Sequence, residues 1–224
     1  MRVAISSALL TAFLLIPGAI LGLAVGGIAH ETLPWQVSDA INLALSALSA
    51  FIAMFAGGAV WGSSISRITK SAAGMRMAMA GGIGFASSAS FVAFTLAFLE
   101  NLVVEQQRGP QLPVHNVFTL LFVPAAAIIA GVSGAALGLG TGDRAMAGKL
   151  AWMCAVAGGC AFLVVNLTMD ALGWRVGAPG AAERGTMVTT ALLGDLTAAM
   201  AAGVVIGSVV WARTRARDRA PNRL

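Results

Sequence analysis

The chain is poor in charge, has two cysteines and two histidines, and has no tyrosine. Only 10% of its 224 residues are charged, against about a quarter in an ordinary soluble domain. A soluble domain of this length needs a polar exterior, and the residues to build one are missing. Cys154 and Cys160 are the whole cysteine complement. Six residues of helix turn through about 600°, which puts the two on different faces. That spacing suits neither a mutual disulfide nor a shared metal, so no disulfide framework exists. The sequence also lacks a phosphate-cradling Walker loop, zinc-type Cys/His spacing, a nucleophile elbow and a dinucleotide fingerprint. The expectation is a protein that is not an enzyme and carries no cofactor, catalytic residue or metal.

What the chain does have is apolar sequence in long runs. Fifty-eight per cent of residues are hydrophobic and the mean hydropathy is +0.86. Because about 20 apolar residues cross the hydrocarbon layer as a helix, six segments qualify: 4–28, 40–64, 77–99, 115–139, 150–172 and 188–211. The fold class expected is therefore an all-α integral membrane protein, a bundle of six transmembrane helices with both termini inside. Residues 1–212 form one transmembrane domain and 213–224 a basic cytoplasmic tail. Arg2 followed by an apolar run and Gly27-Ile28-Ala29 also resembles a cleavable leader. A run of 25 apolar residues is long for one, and a spanning helix is preferred.

The 14 basic residues give a net charge of +5 and a pI near 10.6, a balance that in a soluble protein suggests nucleic acid. Here the bases sit at the edges of apolar runs with no basic, aromatic-interleaved stripe, so no nucleic-acid partner is expected. They read as a topology signal instead. With the N-terminus inside, Arg2, Arg67, Lys70, Arg76, Arg144, Lys149, Arg213, Arg215, Arg217, Arg219 and Arg223 fall on the cytoplasmic side, leaving Arg108, Arg175 and Arg184 outside. Trp61, Trp152 and Trp211 then mark the inner boundary, and Trp35 and Trp174 the outer one, where indole prefers to lie. The expected location is the cell membrane, the inner or plasma membrane of a bacterium.

Small residues recur where helices would touch: Gly18, Gly22 and Gly26; Gly58 and Gly62; Ala130, Gly134 and Gly138; Gly203 and Gly207. In lipid no hydrophobic force drives helices together, so close backbone approach must. The neighbour can be this chain or another subunit. Pro17 and Pro124, in similar settings within the first and fourth segments, remove helical hydrogen bonds and are expected to kink their helices. They are compatible with an inverted three-plus-three repeat, though sequences rich in Ala, Gly and Val align with themselves easily.

Few polar residues are placed to do chemistry. Asp170 and Asp195 fall just inside the outer edge of the fifth and sixth segments, Asn166 lies one turn from Asp170, and His30 and His115 lie at outer helix ends. The sharper reading is a shallow outward-facing site for a cation or proton. The blander one is interhelical hydrogen bonding and snorkelling at the interface. The function expected is a non-catalytic, multi-pass accessory or structural subunit, packing against other membrane subunits or itself in a larger complex. The alternative is a small-solute or ion transporter using the outer acids. Reporter tags at Met1 and Leu224 are expected to be shielded in right-side-out vesicles and reached only after permeabilisation; protection of one terminus alone would refute the topology.

Overall fold

A computed structural model describes residues 1–14, 39–88, 114–172 and 181–219. These form six helices, and no strand occurs among the described residues. They are α1 (Arg2–Leu14), α2 (Asp39–Ile68), α3 (residues 74–88), α4 (Val114–Gly140), α5 (Arg144–Ala171) and α6 (Ala181–Arg219). Three stretches are long and apolar enough to cross a membrane: Phe122–Gly140, Arg144–Ala171 and Leu192–Asp218. The chain is thus a helical membrane protein by the length and composition of its helices. A helix satisfies its own backbone hydrogen bonds, which acyl chains cannot do.

Two tight connections turn the chain at one end of the bundle. α2 stops in a left-handed cap: the Ser71 N–H donates to the Ser66 carbonyl, the Lys70 N–H donates to that of Arg67, and Lys70 has φ of 56°. Glycine usually occupies that position; a lysine there costs about 1–2 kcal/mol but keeps a charge beyond the helix end. Between α4 and α5 only Thr141, Gly142 and Asp143 intervene. Gly142 takes the left-handed turn at φ of 79°, and Asp143 accepts from the Ala145 and Met146 N–H groups to start α5. α5 therefore begins at Arg144, six residues before the apolar run suggests, because capping and not hydropathy sets its start. α6 likewise continues to Arg219. The expected basic tail from 213 is helical over most of its length.

Successive helices pack antiparallel through glycine. A methyl group on Gly58 would sit 2.5 Å from the Gly81 carbonyl oxygen, and Gly62 lies against the Met77 backbone, joining α2 to α3. Gly84 faces Ala136 between α3 and α4, while Gly134 approaches the Leu150 carbonyl and Gly138 the Ala147 backbone between α4 and α5. α6 returns to α1, where Gly203 meets Ala8 and Gly207 meets Ser7. Pro124 lies inside α4, on its exposed side. Pro17, Gly18, Gly22 and Gly26 lie outside the described residues.

The core sits where these helices converge: Ile65, Met77, Leu137, Leu150 and Ile206 are all fully buried in one cluster with Trp61 and Cys154. Trp61 differs from the interfacial anchor its position suggests. Its ring is buried beside that of Phe85, 6.3 Å between centroids, and its N–H donates to Thr11 Oγ1 at 2.9 Å. That bond makes burial of the indole N–H tolerable. Cys160 is exposed while Cys154 is buried, and neither forms a disulfide. The outward side chains are large and apolar, including Phe13, Ile52, Trp152 and Val164, each more than 60% exposed.

Gly138→Ala is expected to destabilise the fold by about 1–3 kcal/mol through overpacking. Gly148→Ala, where nothing lies within 4 Å of the added methyl, should be neutral or stabilising by up to about 1 kcal/mol. Thermal unfolding of the two variants in one detergent separates them, and equal midpoints would remove the close-packing argument.

Candidate functional site

The register of α5 against α6 determines which polar residues can meet. Phe162 covers Gly194, Gly158 faces Ala198, Cys154 Sγ points at the Ala202 carbonyl, and Asp143 pairs with Arg213. Each step of four along α5 is matched by a step back of four along α6. Extended outward, this alignment puts Asn166 level with Thr190 and Asp195 level with Ala161. Asp195 and Asp170 are thus separated by about 14 Å along the axis, nine residues at 1.5 Å each.

Asn166 is buried on α5 and Asp170 half-buried one turn further out. Thr190 is fully buried at the Asn166 level, and its hydroxyl has no hydrogen-bond partner. Asp195 is half-buried, directly after the glycine that receives the Phe162 ring. Among the described residues no hydrogen bond or ion pair to Asp195 is formed. His30 lies outside the described residues; so does the side chain of His115, whose backbone belongs to the first turn of α4. Among the described residues, no three His, Cys, Asp or Glu side chains gather in a way that could hold a metal.

The opposite end of the bundle carries an arrangement that apolar periodicity does not reveal. Asp143 bonds the Ala145 N–H at 2.9 Å and the Met146 N–H at 3.3 Å through one oxygen and the Arg213 guanidinium through the other. The Met146 N–H bond is the largest influence on its carboxyl, holding it below the usual value of 3.8 against partial burial, with help from Ala145 and the Arg213 charge. One carboxylate thus starts α5, balances the partial positive charge of its N-terminus and ties it to the end of α6. The signal was available in Thr141-Gly142-Asp143-Arg144: a turn glycine followed by a capping acid. The partner on α6 was not. Arg215 lies over the Trp211 ring, 4.1 Å from its centroid, so the helix beyond the core is held by aromatic stacking as well.

Asp143→Asn keeps a capping oxygen and loses the ion pair, whereas Asp143→Ala loses both. The unfolding midpoint is expected to fall in the order Asp, Asn, Ala at neutral pH. The folded carboxyl titrates below its unfolded value, so its contribution is complete above about pH 5 and lost as pH falls through and below 3.8. The gap between wild type and Asp143→Asn should narrow in that acid range; a gap that widened on acidification would contradict the assignment.

No protein-family model, no curated protein and no solved structure matches this chain, so a functional reading of these residues rests on their own geometry and chemistry.

Proposed function

We propose that this protein is a non-catalytic, multi-pass membrane subunit, crossing the bilayer six times with its basic end in the cytoplasm and presenting its outer helix faces to other subunits of a larger assembly. The observation that carries this reading is where the two kinds of surface go. The small-residue ridges of α2, α4 and α6 that the structure describes are taken up by contacts within the chain, and the core between them is filled by apolar side chains. The outward faces are what remain for a partner or for lipid, and they bear large apolar groups such as Leu167, Val164 and Ile128. A rigid, internally packed body with an apolar exterior suits a scaffolding role within the membrane.

A second reading, small-solute or ion transport, is favoured by one residue. Asp195 lies within an apolar stretch long enough to span, and a carboxylate within a span is costly and usually functional. Extraction in a mild detergent is expected to bring down a complex well above 22.7 kDa plus its detergent belt, with defined companions. A monodisperse single chain whose reconstituted vesicles show saturable uptake, abolished by Asp195→Asn, would replace the subunit reading with transport.

A further inference from the structure

We propose that the groove between α5 and α6 at the basic end of the bundle is a binding site for the headgroup of an anionic phospholipid. The inference rests on the reading that this end lies at the cytoplasmic leaflet. The groove measures about 420 Å³ and is lined by Ala145, Met146 and Lys149 of α5 and by Val209, Ala212 and Arg213 of α6, with Ser208 beside them. It is partly open, so a ligand can enter it.

Three observations converge on a phosphodiester. First, the two cations lining the groove come from antiparallel helices. Both line the same groove, and the Arg213 guanidinium is held at its Asp143 end. Secondly, Arg213 is only partly neutralised. Its Nη2 pairs with Asp143, while its Nε is buried and has no acceptor. A guanidinium presents several donors in a fixed fork, and the Arg213 side chain is 36% exposed, so its accessible edge, and not the buried Nε, is what a phosphate oxygen would meet. Thirdly, the surrounding charge is predominantly positive. From residue 143 to 149 and from 213 to 219 there are six basic residues and two acidic ones, and basic pockets between transmembrane helices on the cytoplasmic side suit anionic headgroups.

The walls complete the match. Met146, Val209 and Ala212 are apolar and line the groove between the levels of the two cations, where the glycerol of a bound lipid would lie. Ser208 is exposed and supplies a hydroxyl at the groove's wall. A soluble anion would gain nothing from these walls, which is why the site is assigned to a lipid and not to free phosphate.

The test uses the purified full chain, delipidated in neutral detergent and titrated with phosphatidylglycerol or phosphatidylcholine, with bound lipid counted by native mass spectrometry. One phosphatidylglycerol is expected to bind saturably, with little phosphatidylcholine. Lys149→Gln should weaken that binding about five-fold, the contribution of one basic residue near the surface. Ser208→Trp fills the groove, leaves every charge in place and should abolish the saturable phase. Arg67→Gln removes an exposed base from the end of α2 and should leave binding unchanged. Equal losses from Lys149→Gln and Arg67→Gln would overturn the proposal in favour of diffuse surface charge. Inorganic phosphate competing as well as the lipid would overturn it in favour of a soluble anion, and unchanged binding in Ser208→Trp would place the lipid elsewhere. The experiment uses the isolated chain, so its outcome is independent of whether partner subunits co-purify.

Discussion

Gly58 and Gly81 bring the backbones of α2 and α3 so near that a methyl group on either would lie 2.5 Å from the other's carbonyl oxygen. Approaches of this kind recur along α3–α4, α4–α5 and α6–α1, and the rest of the architecture depends on them. Lipid tails solvate leucine as well as another leucine does, so apolar area gives helices in a bilayer no reason to associate. Dispersion between surfaces in contact does, and it falls off within an ångström of lost contact. The missing side chains of glycine let helix backbones, and not side-chain tips, make that contact.

Polar side chains follow from the same constraint. Within the packed region hydroxyls mostly bond to nearby carbonyls: Thr11 to Ser7, Ser88 to Gly84 and Thr69 to Ile65. Bonds from side chain to side chain are kept for seams that need registering, as with Trp61 and Thr11 between α2 and α1, or Ser88 and Ser133 between α3 and α4. Among the described residues most charged groups lie at one end of the bundle, where Asp143 links the start of α5 to Arg213 of α6. The consequence is a body stiffened inside by close contact and at one end by charge. Among the described residues, its candidate chemistry lies at Asp195, at the Asn166 level and in the cationic groove.

Much of this was legible in the residues alone. Long apolar runs announce helices because only a helix satisfies its backbone groups within one continuous segment in hydrocarbon, and the described helices start or end close to several of the expected boundaries: α2 at Asp39, α4 at Val114 and Gly140, α5 at Ala171. The early start of α5 and the long continuation of α6 were hidden because hydropathy records where lipid could be, whereas helix ends are decided by caps and ion pairs. Trp61 was misjudged for a similar reason. An indole near a span's end is usually interfacial, but a hydroxyl on α1 satisfies its N–H and lets the ring enter the core.

By itself, the sequence determined that the chain is helical, apolar and basic at the ends of its runs, because these properties are sums over local composition and need no knowledge of neighbours. It also supplied the glycine spacings, though not what each glycine would meet. The tertiary structure decided the register of α5 on α6, and with it three pairings no periodicity encodes: Asp143 with Arg213, Gly194 with Phe162, and the convergence of Lys149 and Arg213 on one groove. These depend on how far one helix slides along another. That offset is a property of two packed surfaces, so reading either strand of sequence alone cannot supply it.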